Sequence, residues 1–190
     1  MNDRLKEIMD WKREEIASVS RPVSDRELDR LANRADANPF LFSRTLKANR
    51  KRLSVVAEIK RRSPSAGAIA EGVSAEEQAI RYINAEADAL SILTDQKYFG
   101  GHMRDLWDVV DLLVRHNRRI PCLRKDFLVH PVQVVEAVEA GASVILIIVR
   151  ALEDDEIVAL RDTAQVVGLD CLYEIHTERE LERALAFDPS

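Results

Sequence analysis

From residue 55 onward the chain repeats one alternation: a short apolar run, then an amphipathic stretch. The apolar runs are VVAEI (55–59), ALSIL (89–93), IPCL (120–123), VILIIV (144–149) and CLYEI (171–175). Their length and β-branched content are strand chemistry. Between them lie SAEEQAIRYINAEA, HMRDLWDVVDLLVRH, PVQVVEAVEAG and LEDDEIVALRDTAQVVG, with apolar residues at helical spacing. TERELERALAFDPS opens a fifth helix after the fifth run. Strand starts recur every ~25–35 residues, the pitch of a βα unit, whose strands lie parallel. VILIIV has no polar face, as expected of a strand covered on both sides. Gly141 and Gly168 stand where helix ends hand the chain to the next strand. Such a repeat folds as a (β/α)8 barrel or as an open doubly wound sheet. No G-x-G-x-x-G or Walker loop follows any of the strands, which weakens the nucleotide-binding version of the open sheet.

Residues 1–53 have a different texture and read as a helical extension preceding the strands at 54–190. Leu5, Ile8, Met9 and Ile16 fall on one helical face. Ser24, with Glu27 three residues on, is the signature of a second helix start. Asn38-Pro39 breaks that helix, and PFLFSRTLKANRKR reads as a third. The basic run KANRKR reads as a solvated helix end.

Composition limits what such a chain does. A formal charge of −5 argues against a general nucleic-acid binder, because phosphate backbones are held by a basic excess. No apolar segment is long enough for a signal peptide core or a bilayer span. Cys122 and Cys171 sit in apolar runs without a metal-ligand neighbour, and read as buried reduced thiols of a cytoplasmic protein.

Charges at the strand ends carry the functional signal. Residues two apart on a strand share a face, so Glu58 and Lys60 project together from the first strand. Lys125 stands at the end of the third strand, in LRKDF, and Glu174 at the end of the fifth, in LYEI. These are odd-numbered strands, which feed the same interior layers of a barrel. Two lysines and two carboxylates are therefore expected to meet over one barrel mouth. Burying them costs several kcal/mol each unless they are paired, so a cluster of four calls for a function. Proton transfer is the chemistry that such groups serve.

The motifs VVAEIKRRSPSAG, LSILTDQKYFGG, PCLRKDFLVHPVQVVEAVEAGASVILIIV and CLYEIHTERELERAL resemble the successive motifs of the indole-3-glycerol phosphate synthase family. LKEIMDWKREEIA resembles that family's N-terminal extension. The resemblance implies a (β/α)8 TIM barrel that closes the indole ring of 1-(2-carboxyphenylamino)-1-deoxyribulose 5-phosphate, losing carbon dioxide and water. By the same resemblance Lys125 is the proton donor to the ribulose carbonyl oxygen, and Glu174 and Glu58 serve later proton transfers. Lys60 resembles the family's lysine that holds the substrate anions and donates a proton late in the sequence. Ser63 resembles a substrate-contacting position, and Phe99, Phe127 and Leu146 resemble the apolar pocket for the aromatic ring. No metal or organic cofactor is implied; the partner is a small phosphorylated substrate, without nucleic acid or membrane. His102, His116, His130 and His176 belong to no motif.

The chain departs from the family pattern in strand number. Five strands are countable where a barrel needs eight βα units and roughly 250 residues, and the glycine-rich phosphate loops of the later strands have no counterpart. The expectation is a C-terminally incomplete barrel with an open sheet edge through which the chain associates. Two other functions compete for the same pattern. One is a non-catalytic partial barrel acting only by assembly with another chain. The other is a phosphosugar isomerase, which has no evident need for two lysines and two glutamates.

Overall fold

Parallel strands cannot be joined by tight turns, so each must be followed by a crossover, and the chain builds its sheet that way. The structure, a computed structural model, describes residues 3–34, 39–48, 52–64, 67–70 and 72–187. Five strands, β1 (Val56–Ile59), β4 (Ala89–Leu93), β5 (Cys122–Lys125), β6 (Val144–Ile148) and β7 (Asp170–Glu174), form one parallel sheet. Strands β2 (Arg62–Ser63) and β3 (Gly67–Ala68) make a small antiparallel ladder in the segment after β1. The main sheet runs β1-β4-β5-β6-β7, each strand beside its predecessor in the chain. A doubly wound sheet reverses its order at a switch point; this one does not, and progresses in one direction as barrel strands do.

Helices α4 (Ala75–Asn84), α6 (Met103–Arg115), α7 (Pro131–Glu139) and α8 (Asp154–Val166) are the crossovers, and α9 (Glu178–Leu185) follows β7. A four-residue helix, α5 (Gln96–Phe99), sits just past β4, and a 3-10 turn (Val149–Ala151) follows β6. All five residues of β6 are buried, as its unbroken apolar run requires. Gly141 and Gly168 take φ of 80° and 75°, directly after the caps of α7 and α8. The third strand starts at Cys122 rather than at Ile120. Pro121 has no N–H to give to a ladder, although its carbonyl accepts from Leu90 N at 3.0 Å. Among the described residues, neither the outer edge of β1 nor that of β7 has a strand partner.

The N-terminal segment supplies α1 (Asp3–Ile16), α2 (Asp25–Arg34) and α3 (Leu41–Ala48). Ile8, Met9 and Ile16 are buried on one face of α1, and Leu5 packs against the same core. Ser24 Oγ accepts from Glu27 N at 3.3 Å, starting α2 as its sequence suggests. Asn38, half of the expected break, and residues 49–51 of the basic run lie outside the described residues. Arg52 of that run makes a two-pronged pair with Asp88, at 2.8 and 2.9 Å.

The three helices touch both ends of the sheet. At the carboxyl end, α1 sends Lys12 between the segments that leave β4 and β5, and Arg13 reaches Glu156 of α8 at 3.0 Å. α2 packs against α7 and α8. At the amino end, Phe40 N donates to Gly168 O at 2.9 Å, and Ser43 N donates to Asp170 Oδ2 at 3.1 Å.

Close approach of backbone to backbone is tightest at Gly101, which follows α5. A Cβ there would lie 2.0 Å from the Leu93 carbonyl oxygen and 2.5 Å from its carbon. Neither is a side-chain end that can swing away, so the loop over β4 would have to move. Gly101→Ala is expected to destabilise the fold by about 3 kcal/mol, the upper range of overpacking, read as a lower urea midpoint at unchanged m.

Candidate active site

The register of the parallel ladder decides which side chains share a face. Glu58 lies opposite Ser91, Ser91 opposite Leu123, Leu123 opposite Val144, and Val144 opposite Asp170. Ladder partners point the same way, and so do residues two apart. Lys60, Leu93, Lys125, Leu146, Leu172 and Glu174 therefore belong to the same face as Glu58. Ile59, Ile92, Arg124, Ile145 and Ile147 belong to the opposite face, which packs under the crossover helices.

On the shared face the four charged groups form two close pairs. Lys60 Nζ donates to Glu58 Oε1 at 2.5 Å, and Lys125 Nζ donates to Glu174 Oε2 at 2.9 Å. Lys125 comes from the end of β5 and Glu174 from the end of β7, so that pair spans β6. All four side chains are 27–34% exposed, neither sealed in the core nor free in solvent. Pairing offsets the cost of removing each charge from water while leaving it open to a ligand.

The other expected site residues are placed as follows. Phe99 at the end of α5 and Phe127 two residues past β5 are half-buried. Their ring centroids lie 5.9 Å apart, at 35° between planes. Leu146 is buried on the shared face, within β6. Ser63 is part of β2, opposite Gly67 in the small ladder, rather than in an irregular loop. That ladder is fastened on both sides. Arg61 makes a two-pronged pair with Asp105 of α6, and Arg62 donates to the carbonyls of Gln96 and Lys97 at 2.8 and 2.7 Å.

The histidines divide by role. His102 and His130 cap α6 and α7 through Nδ1, accepting from Arg104 N at 3.0 Å and Val132 N at 3.1 Å, and His116 ends α6. His176 lies beside the charged cluster, with Nε2 3.8 Å from Glu174 Oε1. Cys122 is buried and Cys171 half-buried, both free thiols. Burial pushes each thiol up to about 12, Asp170 adding to the effect at Cys171.

A second polar cluster lies just behind these groups, and sequence reasoning missed it. Lys12 Nζ sits 3.0 Å from Asp126 Oδ1, 3.3 Å from Asp95 Oδ1 and 2.6 Å from Glu15 Oε2. Lys12, Asp95 and Asp126 are 3%, 0% and 3% exposed. Asp126 also accepts from Thr94 Oγ1 at 2.7 Å and pairs with Arg124 at 3.3 Å. Burial acts to lower the Lys12 pKa, but the charge of Asp126, hydrogen bonds to Glu15 and Asp126, and the charge of Asp95 outweigh it and raise the value. Burial acts to raise the Asp126 pKa, yet the charges of Arg124 and Lys12, with the Thr94 hydrogen bond, hold it below the ordinary carboxylate range. The available signal was position: Lys12 lies in the apolar stripe of α1, between Met9 and Ile16 at helical spacing.

A parallel α/β protein with paired ionisable groups over the carboxyl ends of its strands has the layout of an enzyme in which ligands bind at that end. Comparison with known proteins identifies the family. The family model for indole-3-glycerol phosphate synthase matches residues 5–190, and the chain belongs to that family. An indole-3-glycerol phosphate synthase of Opitutus terrae is 57% identical over 185 residues, covering 97% of this chain and 69% of the relative. One of Hyphomonas neptunium is 39% identical over 188 residues, covering 97% of this chain and 68% of the relative. No helix among the described residues is long and apolar enough to cross a membrane.

The depressed Asp126 carboxyl has a signed consequence for stability. A group whose folded pKa lies below its unfolded value contributes stability above about pH 4, and loses it as pH falls through the folded value. Asp126→Asn should therefore lower stability at neutral pH and flatten its decline below about pH 4, as read by urea unfolding at stepped pH.

Proposed function

We propose that the chain carries the chemistry of an indole-3-glycerol phosphate synthase, a carbon–carbon lyase of tryptophan biosynthesis. The reaction closes the ring of 1-(2-carboxyphenylamino)-1-deoxyribulose 5-phosphate to give indole-3-glycerol phosphate, carbon dioxide and water. The observation that carries the reading is the pair of lysine–glutamate contacts on one sheet face at the strands' carboxyl ends, in a chain of this family.

The roles follow from the bonds that change. The ring carbon bearing the carboxylate attacks the ribulose carbonyl carbon, and the carbonyl oxygen takes a proton from the Lys125 ammonium, which Glu174 holds in place. Carbon dioxide leaves with its bond electrons returning to the ring, restoring aromaticity. Dehydration then needs one proton delivered to the departing hydroxyl and one removed from the adjacent carbon. Lys60 is the late donor, and Glu58 and Glu174 are the groups that pass protons on. Lys60 also holds the substrate anions, and Ser63 contacts the substrate. Phe99, Phe127 and Leu146 form the apolar wall for the aromatic ring. The reading calls for no metal and no organic cofactor. A non-catalytic partial barrel is disfavoured because assembly alone gives these four charged groups no task.

The same proposal takes residues 54–190 as a five-strand arc of a (β/α)8 barrel, with residues 1–53 as its helical extension. The one-way strand order and the two unpaired edges among the described residues support it. The segment that pairs with those edges supplies the remaining strands and the phosphate loops. The expected setting is the cytoplasm, with a small phosphorylated substrate and no nucleic acid.

With the barrel completed, Lys125→Ala is expected to lower turnover by roughly 10²-fold or more, the usual scale of general acid catalysis, with substrate affinity changing less. Undiminished turnover would remove Lys125 as the donor. The 190-residue chain alone is expected to show little activity in an indole-fluorescence assay, because binding energy from the phosphate end is what holds the reacting atoms together. Turnover by the lone chain equal to that of a complete barrel would show that five strands suffice.

A further inference from the structure

Lys12 is a long way in sequence from every group proposed to touch substrate, yet its two aspartate partners each hold one ring of the aromatic pair. Asp95 Oδ2 accepts from the backbone N–H groups of Tyr98 and Phe99, at 2.8 and 3.2 Å. Asp126 Oδ1 accepts from Phe127 N at 2.8 Å. The remaining oxygen of Asp95 is buried without a hydrogen bond, and the Lys12 ammonium at 3.3 Å offsets its charge. The same ammonium lies 3.0 Å from the Asp126 oxygen that holds Phe127. One cation thus joins two separate loops, one leaving β4 and one leaving β5, at the point where each fixes its phenylalanine.

The alternative to this tie is severe. Two carboxylates that share a buried site repel unless a cation lies between them, and removing one partner of a buried pair leaves an uncompensated charge. Arg124 reaches Asp126 alone of the two, at 3.3 Å. Relief would come by the two loops moving apart or by water entering between them. Either outcome shifts Phe99 against Phe127. Catalytic geometry is sensitive to displacements of this kind, since a misplacement of about 1 Å costs on the order of 10²-fold.

We propose that Lys12 is a positioning residue of the site: through Asp95 and Asp126 it sets the spacing of Phe99 and Phe127, and so the slot that receives the substrate's aromatic ring. This rests on the reading of those two rings as the ring-binding wall. The helical extension then takes part in substrate recognition without touching substrate.

The test uses the 190-residue chain and anthranilate, the aromatic end of the proposed substrate, with its own fluorescence reporting binding. Lys12→Met, which keeps much of the stem and removes the charge, is expected to weaken binding about tenfold or more. Asp95→Asn keeps an acceptor for Phe99 N and removes the charge that Lys12 balances; it is expected to weaken binding several-fold and keeps the test decisive if Lys12→Met does not fold. Val109→Ala is a fully buried truncation on α6, and it is expected to lower the urea midpoint while leaving anthranilate affinity unchanged. Phe127→Ala separates the two readings. If Phe127→Ala weakens binding while Lys12→Met and Asp95→Asn leave it intact, the positioning role falls and the ring wall stands. If Lys12→Met does not fold, unchanged binding by Asp95→Asn has the same meaning. If the unmodified chain binds no anthranilate, or binds it indifferently to Phe127→Ala, the ring wall falls and Lys12's role with it. Equal weakening by Val109→Ala and Lys12→Met would reduce Lys12 to a purely structural residue.

Discussion

The in-register parallel ladder is the constraint from which the site follows. Because pleat direction is common to neighbouring strands and repeats every second residue, fixing one residue's face fixes it for the whole sheet. Ser91 opposite Glu58 and Lys125 opposite Leu93 are enough to tie β1 to β5. β6 carries the same parity on to β7 and Glu174. A slip of one residue in any strand would send a lysine or glutamate to the helix side, among side chains such as Ile92 and Ile145 that are fully buried. The cost of burying an unpaired charge there makes such a slip prohibitive. The residues proposed for chemistry therefore also help to hold the register that assembles them.

Two kinds of ion pair coexist at the strand ends and do different work. Lys60–Glu58 and Lys125–Glu174 are partly exposed, so each partner can exchange its neighbour for a ligand group. Lys12 with Asp95 and Asp126 is closed to solvent, and an opening there would leave the buried Asp95 carboxylate without its cation. The first kind suits groups that must change partners in a reaction; the second suits a fixed joint. Around that joint the surface contacts agree in direction. Lys97 stacks 3.5 Å over the Trp11 ring, and Tyr98 reaches Glu7, so α5 and α1 are held along their length.

Much of this was legible because it obeys a period. The apolar runs at 89–93 and 144–149 became β4 and β6, all of whose residues are buried, with Ser91 the one polar side chain among them. Glu58 with Lys60, and Lys125 with Glu174, stood out as charges at strand ends; parity puts the first two on one face, and the ladder register adds the other two. The run IPCL suggests a strand two residues earlier than the one that forms, since proline's apolar character hides its missing donor. The β2–β3 ladder has two residues a strand, too few to show any alternation. α5 is one turn long, and its determinant is Asp95 as a cap rather than a periodic stripe. Lys12, in KREE, looks locally like any charged residue of an amphipathic helix. Its burial depends on two aspartates that only the fold brings near, and local pattern does not encode that.

The contacts of the extension also impose an order in time. The hydrogen bond from Ser43 to Asp170 spans 127 residues, and the Arg13–Glu156 pair spans 143. Helices α1 to α3 precede every strand in the chain, but the groups of α8 and β7 that receive Arg13 and Ser43 are made long after them. Until β7 exists, α3 lacks its partner Asp170, and until β5 is followed by Asp126, Lys12 has no complete seat. The extension's apolar stripe must wait in solvent while the sheet grows, a chain-entropy cost characteristic of long-range contacts. A segment that reads as a beginning is thus, in the order of assembly, a closing clasp.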